Sequence, residues 1–227
     1  MPPRPDNRRL LTRRHTLAAL AGLPSVFGSA STAAQPAGRL APTPRQSLGP
    51  FYPRSAAERP RDTDADLLVV DGDRVMSRGV PLYLTGRVLD RRGNAAAGAR
   101  IEVWQCDANA VYHHPAGGAE DERDPNFQGY GQAITDDGGA FHFRTIRPVA
   151  YPGRTPHIHV RVELPGAAPL ATQLYLADAP GNERDFLFRQ LSADERRQLT
   201  MHLRPTESAH PLARATRFSA AVELVLA

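Results

Sequence analysis

The chain of 227 residues contains no lysine, and all 28 of its basic residues are arginines, which indicates genomic base-composition bias rather than chemistry. It contains one cysteine, Cys106, so an intrachain disulfide is excluded. No glycine-rich nucleotide-binding loop follows any predicted strand, so an organic nucleotide cofactor is not indicated. Stability must therefore come from a hydrophobic core or from a metal.

An excess of charge is also lacking over most of the chain. The formal net charge is +4. Residues 1–34 account for all of it, because they hold five arginines and one aspartate, whereas the remainder carries 23 basic and 23 acidic residues. A neutral remainder argues against a nucleic-acid partner or an anionic membrane surface.

Residues 1–34 have the layout of an export signal. An arginine-rich start is followed by a short apolar run from Thr16 to Phe27 and by the small residues 28–34. The apolar run is too short to span a membrane. The pair Arg13-Arg14 is typical of the twin-arginine route, with ordinary export as the alternative. We predict cleavage near Ala33 or Ala34, export to the periplasm or medium, and no membrane association after signal removal.

The remaining chain is predicted to be an arm over 35–67 and one catalytic domain over 68–227. Short alternating segments separated by Gly, Pro, Asp and Asn predict strands, beginning with LLVV at 67–70 and ending with a closing strand at 217–227. A capping-box pattern at Ser192 and Glu195 predicts one helix, running to about Leu203. The predicted fold class is all-β: a β-sandwich of mostly antiparallel strands, with long active-site loops and one short helix near the C-terminus.

The sequence His157-Ile158-His159 is the sharpest local feature. On a strand, residues i and i+2 face the same side, so both imidazoles can reach one metal. Alone the pattern is weak, because solvated histidines and zinc or copper sites share it. Tyr151 lies six residues before His157, Tyr112 ends the loop segment after a predicted strand, and no carboxylate occurs within 149–162. The candidate metal-binding groups in these segments are therefore phenol and imidazole.

Four segments together resemble the intradiol ring-cleavage dioxygenases: GPFYP (49–53), IEVWQCDANAVYHH (101–114), DPNFQGYGQAITDDGGAFHFRTI (124–146) and YPGRTPHIHV (151–160). The resemblance implies an Fe(III) site, O2 as co-substrate and an aromatic diol opened between its hydroxyl groups to a muconate-type diacid. The residues that it implies as metal ligands are Tyr112, Tyr151, His157 and His159. It also implies that Tyr151 accepts a proton from the substrate.

The same resemblance assigns Arg154 to charge stabilisation and Gln173 to the substrate pocket. Tyr52, in a proline-flanked segment, is predicted to line that pocket. The segment between Tyr151 and His157 is shorter than in protocatechuate and catechol dioxygenases, which leaves the substrate open. The chain also has no room for the helical dimerisation domain of catechol dioxygenases, although a homo-oligomer is compatible with the sequence.

Two other functions stay open on the sequence alone. The first is a non-catalytic extracellular β-sandwich binding module, and the second is a zinc or copper protein that uses the His pair. The colour of the purified protein distinguishes them, because tyrosinate bound to Fe(III) gives a red solution. Further interpretations make His113 and His114 solvated, Tyr130 and Trp104 structural, His142 without a role, and Cys106 buried and inert.

Overall fold

Nine strands and one α-helix, together with five three-residue 3-10 helices, make up the regular structure of the part of the chain that the computed structural model describes, residues 38–60, 62–70 and 76–227. The export signal predicted for 1–34 lies outside these residues. The elements are β1 (Pro81–Leu89), β2 (Arg100–Trp104), β3 (Tyr130–Ile134), β4 (Ala140–Ile146), β5 (His157–Glu163), β6 (Leu170–Leu176), α1 (Ala193–Leu199), β7 (Thr200–Met201), β8 (Arg204–Pro205) and β9 (Phe218–Val225).

The strands form two sheets. One has the order β4-β1-β9-β8, and the other has the order β3-β2-β5-β6-β7. Neighbouring strands are antiparallel except β1 with β9 and β6 with β7, which are parallel. The predicted all-β sandwich of mostly antiparallel strands, with one short helix near the C-terminus, is confirmed.

Alternation along β2 separates two apolar clusters. Ile101 and Val103 belong to the main core, which also takes in Leu84 and Phe143 from the other sheet. Trp104 points to the opposite face, where it belongs to a second, smaller cluster. The two faces of this strand therefore belong to different clusters, and the second cluster lies on the outer face of the five-stranded sheet.

The segment predicted to be an arm is bonded along the sandwich. Backbone N–H groups of Thr43 and Gln46 donate to the carbonyl groups of Val225 (3.0 Å) and Ala171 (2.8 Å). These bonds fix the chain just before it crosses the second cluster.

The helices of the described residues are all too short or too polar to span a membrane.

Two local predictions are wrong in extent. Leu67 and Leu68 are buried, but residues 67–70 form no strand. Within the described part of this segment, the chain pairs with a strand only through an isolated bridge between Asp66 and Arg144. The helix has the predicted capping box but ends at Leu199, because the chain then joins the edge of the five-stranded sheet as β7. Pairing with β6 outweighs the local helical pattern there.

Candidate metal centre

The outer face of the five-stranded sheet carries a row of polar and aromatic side chains. His159 on β5 lies opposite Trp104 on β2 and opposite Gln173 on β6. His157, two residues before His159, points to the same face. The Nε2 atoms of the two imidazoles are 3.2 Å apart. The strand spacing therefore brings both rings to one point, as the sequence predicted.

The two predicted tyrosines meet the histidines at that point. Tyr112 comes from the long loop after β2, and Tyr151 comes from the connection between β4 and β5. The Tyr112 hydroxyl lies 3.4 Å from Nε2 of His157. The rings of Tyr112 and Tyr151 meet edge to face with centroids 5.6 Å apart. The ring centroids of Tyr151 and His157 are 5.5 Å apart. We call these four residues the Tyr/His cluster.

Both imidazoles of the cluster are held in the neutral form. Burial, reinforced by the nearby Arg154 charge, lowers the pKa of His157 to about 4. Burial and the neighbouring His157 hold the pKa of His159 well below its usual value. Nδ1 of His157 donates to the Thr155 carbonyl oxygen at 2.7 Å, which leaves the Nε2 lone pair directed into the cluster. A neutral imidazole with a free Nε2 is the metal-binding form.

The two phenols are protonated unless a cation is near. Burial raises the pKa of the Tyr112 hydroxyl well above its ordinary value. Burial also raises the pKa of Tyr151, against the opposing effect of Arg154. A bound cation would reverse this, since a metal deprotonates the acid that it coordinates. Two phenolate oxygens and two imidazole nitrogens are a donor set that fits ferric iron, because hard anionic oxygen favours the higher charge.

No carboxylate or thiol completes the site. Among the residues that the structure describes, no three His, Cys, Asp or Glu side chains lie close enough together to share a metal ion. The histidine pair therefore has the two tyrosines as its partners. This weighs against the zinc alternative, whose protein sites are built from imidazole, thiolate and carboxylate.

Arg154 joins the cluster to the sheet and to a distant acid. Its Nε donates to Asp185 at 2.8 Å, one NH group donates to Gln173 at 2.5 Å, and the other lies 3.4 Å from the Tyr151 hydroxyl. Asp185 is buried and also accepts three backbone N–H bonds, including that of Thr155. The guanidinium group is therefore fixed beside the Tyr151 oxygen, where it favours negative charge.

Gln173 lies beside the Tyr/His cluster, whereas the Tyr52 hydroxyl does not. Gln173 is fully buried beside His159 and Arg154, within reach of the cluster. The Tyr52 hydroxyl instead donates to Glu102 at 2.7 Å, and its ring packs on Trp104. The Tyr52 hydroxyl, which was predicted to line the pocket, is thus hydrogen-bonded to the buried Glu102 carboxylate beside the cluster. The structure does not bring it to the four donors.

Three contacts have no local signal in the sequence. Phe51 stacks on Tyr112 with ring centroids 4.3 Å apart, and Trp104 stacks on His159 at 4.8 Å. Asp185 is 31 residues from its partner Arg154. A proline-flanked aromatic segment and an isolated aspartate after a strand give no indication of these partners, because they depend on how separate loops fold over the sheet.

Gly49 lies against His159 in a conformation that favours glycine. Its φ is +73°, and a Cβ atom there would stand 3.3 Å from Cε1 of His159. Gly49→Ala is expected to strain the backbone by about 1–2 kcal/mol and to displace the imidazole. Metal affinity should fall by about tenfold, as it does when support of a ligand is lost, measured by competition with a chelator.

Gly98→Ala is the matched control, because Gly98 has φ +72° but nothing within 4 Å of an added Cβ. It carries the same backbone strain without the contact. Equal metal affinity in both variants would show that Gly49 does not support His159.

The remaining candidates have other partners. His113 lies 3.4 Å from Asp107, and His114 lies 3.6 Å from Glu58. Tyr130 is buried at the start of β3, and burial raises its pKa. Burial raises the pKa of the Cys106 thiol to about 12, so it is inert. The prediction that His113 and His114 are solvated is wrong for His114, which is buried beside Glu58. The structural interpretation of Tyr130 and the buried, inert one of Cys106 agree with their positions.

Comparison with known proteins follows the same segments. Residues 48–223 match the model of the protein family described as Dioxygenase. The chain is 31% identical over 163 residues to a catechol 1,2-dioxygenase of Candida albicans, covering 62% of this chain and 49% of that protein. It is 35% identical over 144 residues to the protocatechuate 3,4-dioxygenase beta chain of Burkholderia cepacia, covering 59% of this chain and 61% of that protein.

A solved structure covers more of the chain. The dioxygenase domain of a dioxygenase carbohydrate-binding protein fusion from Streptomyces sp. SirexAA-E is 34% identical, with a TM-score of 0.57. The match covers 82% of this chain and 98% of that domain. By contrast, the chain spans about half to three fifths of the length of the two curated relatives above.

Proposed function

The chain belongs to the intradiol ring-cleavage dioxygenase family, and from that membership we propose that it opens a catechol-type aromatic with O2. The bond broken lies between the two hydroxyl-bearing ring carbons. Both atoms of O2 enter the product, a muconate-type diacid, so the reaction balances without an external reductant. The proposed cofactor is Fe(III), bound by Tyr112, Tyr151, His157 and His159. The substrates are a small aromatic diol and O2.

The observation that carries the proposal is the Tyr/His cluster. Two phenols and two neutral imidazoles, contributed by a strand and two separate loops, converge on one face of the sheet. A binding module that needed no metal would gain nothing from burying these four groups together, because their polar atoms lose solvent contact. A metal supplies the missing stabilisation.

A bound Fe(III) would chelate both hydroxyl groups of the diol, which would make the ring electron-rich enough to react with O2. Tyr151 is only half-buried and lies beside Arg154, whereas Tyr112 is buried. The Tyr151 oxygen is therefore the better placed of the two to take a proton from the diol. The Arg154 guanidinium holds negative charge that develops on the ring. Gln173 fixes the guanidinium in that position.

The product identifies the reaction. Purified chain loaded with Fe(III) is incubated with catechol, protocatechuate, hydroxyquinol and chlorinated catechols under O2, and uptake and products are followed. The proposal predicts a ring-opened diacid carrying both atoms of labelled O2 from at least one diol. A semialdehyde from cleavage outside the hydroxyl pair, or no uptake with any diol by iron-replete protein, would contradict it.

We further propose that residues 1–34 direct export by the twin-arginine route. The support is the order of arginines, apolar run and small residues, together with the pair Arg13-Arg14. That route carries folded proteins, which suits a protein that acquires iron before export. Replacing both arginines with lysine is expected to keep most of the chain in the cytoplasm, measured by fractionation and immunoblot. Replacement of Arg8 and Arg9 with lysine is the matched control, and unchanged export of both double variants would refute the route.

A further inference from the structure

The two histidines of the cluster are supported differently. Nδ1 of His157 donates to the Thr155 carbonyl oxygen, which fixes the ring. Nδ1 of His159 is buried and has no hydrogen-bond partner among the described residues. Histidines that bind metals almost always donate their second ring N–H to an oxygen, and that bond sets the ring orientation. The orientation of His159 must therefore come from packing.

Two groups supply that packing. The Trp104 ring lies flat on the imidazole, with an interplanar angle of 8° and centroids 4.8 Å apart. The backbone of Gly49 approaches the Cε1 atom so closely that a Cβ would stand 3.3 Å away. Trp104 belongs to the sheet, whereas Gly49 belongs to the segment that crosses the sheet from outside. The sheet therefore supports one side of the imidazole, and the crossing segment supports the other only while it stays in place.

We call residues 47–59 the strap. Besides Gly49 on His159, it carries Phe51 onto the face of Tyr112, with ring centroids 4.3 Å apart. Phe51 also meets the edge of the Tyr151 ring, so the strap contacts both phenols and one imidazole of the Tyr/His cluster. At its start the strap is bonded to the sheet by a long hydrogen bond, in which Nε2 of the Gln173 side chain donates to the Ser47 carbonyl oxygen at 3.3 Å.

A buried ionic group holds the other end of the strap. The Tyr52 hydroxyl donates to Oε2 of Glu102 at 2.7 Å, and Arg161 lies 3.2 Å from the same oxygen and also donates to Tyr52. Arg59 and Arg100 lie 4.0 and 3.7 Å from the second carboxylate oxygen. The Glu102 side chain is fully buried, and a buried charge without its partners is strongly destabilising. The carboxylate therefore draws both strap residues, Tyr52 and Arg59, onto the sheet.

We propose that Glu102 is a positioning residue for the metal centre: by holding the strap through Tyr52, it keeps Gly49 and Phe51 on His159 and Tyr112. Among the described residues, the Glu102 carboxylate contacts Tyr52, Arg161, Arg59 and Arg100 rather than the Tyr/His cluster. The proposal rests on the proposed function in one respect, because a positioned ligand matters only if the Tyr/His cluster binds a metal. The strap contact can be measured on the metal-free chain as well.

Trp104 makes the contact measurable, because it is the only tryptophan of the chain and it packs on both Tyr52 and His159. The variants are Tyr52→Phe, which removes one hydroxyl, and Glu102→Gln, which removes the charge. In the metal-free full chain, we measure acrylamide quenching of Trp104 fluorescence and hydrogen exchange of residues 48–53. In the iron-loaded chain, we measure the rate of iron loss to a chelator. We expect faster quenching and exchange, and about tenfold faster iron loss.

Tyr83→Phe is the matched control. Tyr83 is also buried and its hydroxyl makes an equally short bond, 2.6 Å to His142, but on the other sheet. It should leave quenching, exchange of 48–53 and iron loss unchanged. If Tyr52→Phe behaves like Tyr83→Phe in all three measurements, the proposal is overturned. Should Glu102→Gln fail to fold, Tyr52→Phe decides alone.

A chain that binds no iron at all would refute the proposed function, while the two metal-free measurements would still decide whether Glu102 holds the strap. Conversely, slow iron loss from Tyr52→Phe in an active enzyme would refute the positioning role and leave the proposed function intact. The two failures are therefore distinguishable.

Discussion

Tyr112→Phe is expected to lower ring-cleaving activity by at least about 10³-fold, because an anionic metal ligand is lost and the metal contributes several kcal/mol to transition-state stabilisation. Phenylalanine keeps the ring that packs on Phe51 and Tyr151, so the variant should fold. Iron content by elemental analysis, oxygen uptake with the best diol and thermal unfolding together separate loss of the ligand from loss of the fold.

Tyr83→Phe serves as its control, since it removes a buried phenolic hydroxyl from the opposite sheet. Normal iron content and activity are expected for it. Tyr112→Phe with full iron content and more than a tenth of the parent activity would remove Tyr112 from the ligand set.

Arg154→Gln should separate charge stabilisation from metal binding. The guanidinium touches Tyr151, Gln173 and Asp185 but is not a metal donor. Removing one preorganised charge from an active site typically costs about 10²–10³ in kcat, and we expect that loss with iron content unchanged. Asp185 keeps three backbone N–H donors, which should allow the variant to fold.

Arg154→Lys is expected to recover part of the activity, because it restores the charge but not the forked geometry. Arg189→Gln, which removes an exposed arginine from a nearby 3-10 helix, is the matched control and should match the parent enzyme. Loss of iron in Arg154→Gln, or a kcat within a factor of three of the parent, would argue against a purely electrostatic role.

The sequence was most informative where the strand period decides geometry. A two-residue spacing on a strand places His157 and His159 on one face whatever the rest of the fold does. The same strand period places Val103 and Trp104 in different clusters. The positions of Tyr112 and Tyr151 could not be obtained this way, because both lie in loops; only the family resemblance placed them with the histidines.

Contacts between segments that are distant in the sequence could not be predicted. Nothing near Tyr52 indicates that its hydroxyl would meet Glu102, 50 residues later, rather than the substrate pocket. The helix after Ser192 was predicted too long for a similar reason. Residues 200–201 pair with β6 at the sheet edge, and a local capping pattern carries no information about that competition.

Visible absorption of the purified, iron-loaded chain tests the central claim most directly. Two tyrosinate oxygens on Fe(III) produce a charge-transfer band, so the protein should be red. The band should change on addition of a diol under anaerobic conditions and should weaken and shift in Tyr112→Phe, which keeps only the Tyr151 phenolate. A colourless solution containing one iron per chain would contradict a tyrosinate–Fe(III) site and, with it, the proposed ring-cleaving activity.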